Sequence, residues 1–131
     1  MSRTVDFLHE AGTFYLATDD DGQPRVRPFG AVMDYQVRVY FCTNNHKPVF
    51  RQLTANPRVE IAACAPGGDW IRIAGRAMVD DSLEARAAML EAHPGLQRMY
   101  RADDGLYEVF YLNEATVTIN RRGAEPETYT L

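Results

Sequence analysis

Lysine is almost missing from this chain: Lys47 is the only one, against thirteen arginines. Serine and cysteine are nearly as scarce, with only Ser2 and Ser82, and Cys42 and Cys64. Both serines fall where helices are expected to start, and capping the first backbone N–H groups accounts for them, so a serine hydrolase is not expected. The cysteines form no CxxC pair and sit in apolar runs, where a reduced thiol behaves as a small hydrophobe. A reducing cytoplasm is the setting this implies. His9, His46 and His93 lie in separate elements with neither HExxH nor His/Cys spacing, so no metal site is expected. No GxGxxG follows a strand and no GxxxxGK[ST] occurs, which removes the usual signatures of Rossmann and P-loop nucleotide binding. No stretch approaches the ~18 apolar residues that a membrane span needs. The opening Met1-Ser2-Arg3-Thr4 leads into Asp6 and Glu10 instead of an apolar leader core. A soluble, unexported protein with no membrane partner is expected.

What is present fits one ordinary globular unit spanning residues 1–131. Hydrophobic residues make up 46% and charged residues 24% of the 131, a balance far from the charge-rich profile of disorder. A chain of this size buries roughly two-thirds of its unfolded surface around a single core. The formal net charge of −4 provides no domain-wide basic field, so nucleic acid is not an expected partner.

Along the chain, Val5, Phe7, Leu8 and Ala11 recur at helical spacing and Gly12 stops the helix. Residues 13–18 read as a strand running into the turn Asp19-Asp20-Asp21-Gly22, residues 24–32 as a second, and residues 37–42 as a third. Short links between the three predict an antiparallel meander. Pro48 suits a first helical position before Val49, Phe50 and Leu53, and Asn56-Pro57 ends that helix. Residues 59–65 and 70–79 predict a hairpin around Pro66-Gly67-Gly68, and a helix capped by Asp81 or Ser82 follows until His93-Pro94-Gly95 breaks it. Residues 106–112 and 115–119 read as long β segments with a bulge near Asn113-Glu114, and 127–131 as an edge strand. The expected fold is mainly β (α+β by count): an antiparallel six- to seven-stranded barrel or sandwich with short peripheral helices.

Three cations gather near the middle of this pattern. Arg25 and Arg27 are two apart on one strand and project to the same face, where a guanidinium fork can meet a phosphate bidentately. Lys47 stands at a helix start, where free N–H groups favour anions. If the second and third strands pair as a hairpin, Thr43 and Asn44 lie beside that face. The bland alternative is two solvated strand arginines and a lysine that ends a loop.

The wording of the chain bears on the choice. Gly22-Gln23-Pro24-Arg25-Val26-Arg27-Pro28-Phe29-Gly30, Val39-Tyr40-Phe41-Cys42-Thr43-Asn44 with Lys47, Gln52-Leu53, Asn56-Pro57-Arg58-Val59, Gly75-Arg76-Ala77 and Glu108-Val109-Phe110-Tyr111-Leu112 together resemble the pyridoxamine 5′-phosphate oxidase-like flavin-binding split barrels. The resemblance spans nearly the whole chain. It implies an antiparallel split β-barrel that forms a homodimer and holds flavin mononucleotide (FMN) in two clefts between subunits. Arg27 then resembles the strand arginine on the cofactor phosphate, Lys47 the cation that joins it, and Thr43 the hydroxyl residue ending the third strand, with Asn44 beside it. The run Arg25, Val26, Arg27, Pro28, Phe29 and Gly30 resembles the segment that follows the ribityl chain and ring. Trp70 either walls the ring or is a core or interface aromatic.

Authentic pyridoxamine phosphate oxidases end in a basic segment for the substrate phosphate, whereas this chain ends Glu125-Pro126-Glu127-Thr128-Tyr129-Thr130-Leu131. Vitamin B6 oxidation is therefore not expected. The closer similarity is to compact general-stress and nitroimidazole-reductase-like members, which implies reduction of a small molecule with a nicotinamide (NAD(P)H) donor. No residue stands out as a catalytic acid or base. Two alternatives stay open: a related barrel for the deazaflavin F420 or for haem, the latter needing an axial ligand such as His46, and a non-catalytic flavin-binding dimeric module.

Overall fold

A computed structural model describes residues 2–131. Helix α1 (Arg3–Ala11) starts where Ser2 Oγ accepts the Val5 N–H at 3.3 Å and stops at Gly12. Strands β1 (Phe14–Asp20) and β2 (Gln23–Phe29) form a hairpin closed by Asp21 and Gly22, both at positive φ (52° and 91°). Asp-Gly is favoured there because two left-handed residues match the twist of the flanking strands. A second hairpin, β3 (Val32–Tyr35) and β4 (Arg38–Asn44), leads into α2 (Pro48–Ala55), with Lys47 at the N-cap and Pro48 at the first position. Strands β5 (Arg58–Cys64) and β6 (Trp70–Asp80), helix α3 (Leu83–Ala92), a 3₁₀ turn (Pro94–Arg98), β7 (Tyr107–Asn120) and β8 (Glu127–Thr130) complete the chain.

All eight strands belong to one antiparallel sheet in the order β2-β1-β5-β6-β7-β4-β3, with β8 added beside β7. Strands β2 and β3 are thus its two opposite edges, yet only Gly30 and Ala31 separate them in sequence. Six inter-strand spacings of ~4.8 Å would put the edges of a flat sheet ~29 Å apart. Three Cα steps from Phe29 to Val32 span at most about 11 Å. The sheet must curl until its edges nearly meet, which makes a barrel with a split between β2 and β3. Pro24 and Pro28 suit the free edge, since an edge strand tolerates missing N–H donors.

The expected meander therefore does not form: the two hairpins pair internally but not with each other. The extended run expected over residues 24–32 is broken at Gly30–Ala31, which raises the strand count above the expected six or seven. The long final β segment is a single 14-residue strand whose bulge lies where it was expected. Glu114 has φ 50°, and the β6–β7 register shifts between Ala74 and Arg76.

The barrel interior holds one core of β residues, among them Leu16, Phe41, Ile61, Ile73, Phe110 and Val117, onto which α1 lays Val5 and Leu8 and α2 lays Val49 and Leu53. Phe29 of edge strand β2 meets Phe110 of β7 at 6.3 Å and Phe14 of β1 at 6.2 Å between ring centroids, so aromatic contacts bridge the curled sheet. A second cluster outside the barrel seats Ala85, Met89 and Leu90 of α3 on Met33, Tyr40, Tyr107 and Val109. Among the described residues no helix packs on the outer faces of β2, β1, β5 and the first half of β6, where Val26, Tyr15, Glu60 and Arg72 are exposed.

Gly75 sits opposite the bulge, where an added Cβ would lie 2.9 Å from Ala115 Cβ. Gly75→Ala is expected to lower stability by about 1–3 kcal/mol through overpacking, read as a lower urea midpoint at unchanged slope.

Candidate functional site

The site is built across the split. On one bank, the register of β2 against β1 pairs Arg25 with Thr18, Arg27 with Leu16 and Phe29 with Phe14. These three β2 residues share the inward side of the strand, and Phe29 at the end packs into the core. Arg27 is half-buried and held by neutral acceptors. Its Nη1 donates to Thr18 Oγ1 at 2.8 Å and Leu16 O at 3.1 Å, and its Nη2 to Gln52 Oε1 at 2.5 Å. Thr18 Oγ1 in turn donates to Gln52 Oε1 at 2.6 Å. No carboxylate among the described residues meets this guanidinium. Loss of hydration, and then repulsion from Arg25, lower its pKa from the ordinary value, although an arginine stays protonated.

Arg25 is placed differently. Its Nε donates to Asp20 at 3.2 Å, and Arg51 Nη1 reaches the same carboxylate at 3.4 Å. The Arg25 hydrogen bond, followed by that of Arg51, holds the Asp20 carboxyl below the usual range. The pair therefore persists above the ordinary carboxylate pKa and is lost as pH falls through the lowered one.

The other bank is the end of β4 and the loop into α2. Thr43 is buried, and its Oγ1 has no hydrogen-bond partner among the described residues. Asn44 Nδ2 donates to Tyr100 Oη at 2.7 Å and its Oδ1 accepts the His46 N–H at 3.1 Å. Lys47 is exposed and makes no ion pair among the described residues. Cys42 lies between Tyr107 and the cleft. Burial pushes its thiol up, and the Tyr107 hydroxyl and the Lys47 charge only partly oppose this, so Cys42 is a protonated wall residue and no activated nucleophile.

Between the banks run two lobes of one cleft. The polar lobe, about 660 Å³, is lined by Asp20, Arg25, Val26, Gln52 and Arg51. The apolar lobe, about 610 Å³, runs under Phe29, Gly30, Ala31, Cys42 and Thr43 to a roof formed by the end of α3 and the 3₁₀ turn. Arg27, Pro28, Lys47 and Val49 line both lobes and form the waist. Two cations without carboxylate partners thus stand where a polar and an apolar chamber meet. Such a waist can hold an anion by charge-assisted hydrogen bonds, and the neighbouring lobe can hold a flat apolar group attached to it.

Of the residues singled out from the sequence, Arg25, Val26, Arg27, Pro28, Phe29, Gly30, Thr43 and Lys47 line the cleft. Asn44 stands behind it, fastening the loop to Tyr100. Trp70 lines neither lobe. It opens β6 on the outer sheet face, paired with Cys64 and Asn120, with the Arg72 guanidinium 4.9 Å from its ring centroid. His46 lines neither lobe.

Sequence reasoning missed the acceptors that hold Arg27 and the whole roof. Gln52 did carry a signal: it occupies a buried position beside Val49 and Leu53 on the apolar stripe of α2, where a polar side chain must have a partner. The roof residues His93, Pro94, Leu96, Met99 and Tyr100 carried none, because a helix break says nothing about what it covers. Among the described residues no helix is long and apolar enough to cross a membrane, and no cluster of metal-binding side chains occurs.

The model of the pyridoxamine 5′-phosphate oxidase family matches residues 2–118. The chain is similar to a solved NimC/NimA family protein from Clostridium acetobutylicum, at 45% identity and TM-score 0.96, covering 98% of this chain and 90% of that one. General stress protein 26 from Bacillus anthracis shares the fold at 18% identity and TM-score 0.77, covering 97% and 95%. A pyridoxamine 5′-phosphate oxidase-related, FMN-binding protein from Nostoc punctiforme does so at 17% identity and TM-score 0.68, covering 98% and 94%. No curated protein matches the sequence.

The neutral cradle of Arg27 has a measurable consequence. Gln52→Leu removes the acceptor shared by Thr18 and Arg27 and leaves buried donors unpaired, which is expected to cost about 1–3 kcal/mol of stability. Equilibrium urea unfolding reads it.

Proposed function

We propose, from the premise that this chain belongs to the pyridoxamine 5′-phosphate oxidase family, that it binds FMN in the two-lobed cleft and uses it to reduce a small molecule at the expense of a nicotinamide donor. The observation that carries this reading is the waist, where Arg27 and Lys47 have no carboxylate partners and stand beside an apolar lobe. Arg27 offers the phosphate a fork already oriented by Thr18 and Gln52, so little ordering remains to be done on binding. Lys47 adds a point charge from the opposite bank. The buried Thr43 hydroxyl, which lacks a partner, gains one if a ribityl hydroxyl approaches. Phe29, Gly30 and Ala31 run along the cleft floor, and Leu96, Met99 and Tyr100 line its far end. The bound flavin would supply the hydride or electron chemistry, and the protein would position and desolvate.

The cleft favours FMN over the other cofactors considered. The longer acidic tail of F420 calls for further free cations, but Arg25 and Arg51 are both engaged with Asp20. Haem calls for an axial ligand: His46 is outside the cleft, and His93, which lines it, has its Nε2 2.9 Å from Val32 O.

The same reading includes a homodimer built on the bare sheet face. Strand pairing sets Pro28, Tyr15, Ala62 and Arg72 in one row across that face, and Val26, Ala17, Glu60 and Ala74 in the next. Tyr15 is 49% and Val26 67% exposed. Val26 and Pro28 also line the polar lobe, so a second copy seated here would wall the cofactor site. The Glu60–Arg72 pair gives the face both charges, as a two-fold interface needs. Trp70 lies on this face.

Lys47→Ala and Arg27→Ala are each expected to weaken FMN binding by about 1.5–3 kcal/mol while barely changing riboflavin binding. Fluorescence titration with both ligands checks this, and equal losses for the two would mean that neither residue reads the phosphate. A yellow holoprotein that bleaches on anaerobic mixing with NADPH or NADH supports the reductase role; a flavin that stays oxidised makes the protein a binder only. In sedimentation, the wild type is expected to run as a dimer and Tyr15→Glu as a monomer with weakened FMN affinity.

A further inference from the structure

The flavin reading gives no role to one polar group of the cleft wall, the Tyr100 hydroxyl. Its hydrogen-bond direction follows from the heavy atoms around it. The His46 backbone N–H lies 3.1 Å from Asn44 Oδ1, and a backbone N–H only donates, so the amide oxygen must face it. The Asn44 NH₂ group then faces Tyr100 Oη at 2.7 Å. An amide NH₂ also only donates, so Tyr100 Oη is the acceptor and its own hydrogen has no acceptor among the described residues. The tyrosine is half-buried, its ring is held 4.9 Å from that of Tyr107, and it lines the apolar lobe. This leaves a preset O–H donor in a cavity whose neighbouring roof is Pro94, Leu96 and Met99.

We propose that the roofed end of the apolar lobe, beyond the part that takes the flavin ring, receives the substrate, that Tyr100 is its hydrogen-bond donor, and that the substrate is a neutral, flat aromatic molecule bearing a carbonyl-type acceptor oxygen. Asn44 acts as the positioning residue. The proposal rests on the flavin reading, in which the phosphate neutralises Arg27 and Lys47 at the waist. No other lysine or arginine and no carboxylate lines the lobe among the described residues, and the Nε2 of its histidine, His93, lies 2.9 Å from Val32 O, so an ionised substrate would lose hydration without gaining a partner. A ligand of the same shape without the acceptor would leave the Tyr100 O–H buried and unpaired, the condition under which a site discriminates most strongly.

Acetophenone and α-methylstyrene form a suitable probe pair, since C=O in one replaces C=CH₂ in the other at nearly constant shape. Their affinities are measured by protein-observed NMR titration of apoprotein and FMN-loaded protein, with FMN affinity determined in parallel. Wild type is expected to prefer the ketone. Tyr100→Phe should weaken the ketone about 10-fold or more and leave the olefin unchanged. Asn44→Asp retains Tyr100 but turns its hydroxyl toward the new carboxylate, so ketone affinity should fall again while that of the olefin does not. Equal losses for ketone and olefin, no loss for either, or no binding of the ketone by wild type would overturn the proposal. A parallel loss of FMN in Tyr100→Phe would assign the hydroxyl to the cofactor and also overturn it. If wild type takes no FMN yet discriminates the probes through Tyr100, the flavin reading fails and the assignment of the donor stands.

Discussion

Two residues of chain, Gly30 and Ala31, join the opposite edges of one sheet, and the rest of the architecture answers to that constraint. A link this short is incompatible with a flat sheet, so the strands curl and the outermost two approach without pairing. The interior formed by the curl receives the aromatic contacts of Phe29 and the apolar faces of α1 and α2. The gap left by the unpaired edges becomes the cleft. Because β2 and β4 come from distant places in the strand order, Arg27 and Thr43 can face one cavity from opposite banks.

Placing positive charge in such a gap works against folding, and the structure limits the cost without cancelling the charge. Arg25 and Arg51 share Asp20, whereas Arg27 is given only neutral acceptors. A carboxylate in place of Gln52 would satisfy Arg27 more strongly, but would also neutralise it. The neutral cradle orients the guanidinium and leaves its charge for a ligand. An anion arriving at the waist meets donors that need little reorganisation.

The roof follows a different logic. Helix α3 packs on the outer side of β3, β4 and β7, and its continuation through Pro94 turns back over the open end of the split. His93 Nε2 lies 2.9 Å from Val32 O, the first residue of β3, and Asn44 reaches Tyr100 beyond the 3₁₀ turn. The two contacts pin the roof to the bank of the cleft that also carries Thr43. Polar groups at both ends of the cover hold its position over the lobe.

Much of this was local enough to be legible in the residues themselves. Helix starts at Ser2, Pro48 and Ser82, the Asp-Gly turn and the bulge beside Glu114 depend on interactions within a few residues of chain. The alternation that turns Arg25 and Arg27 to one side is likewise a property of any strand. Pairing between the hairpins was not local. A three-strand meander and a split barrel share the same turns, and the short step from Phe29 to Val32 looks alike in both until the other strands occupy the space between them. The placement of Trp70 depended on the same choice, since its side of β6 is left bare only when α3 packs on the other half of the barrel. The sequence alone determined the elements, the cations and their facing. Only the tertiary structure decided which edges met, and therefore what the cations faced, because that outcome is set by packing among residues far apart in the chain.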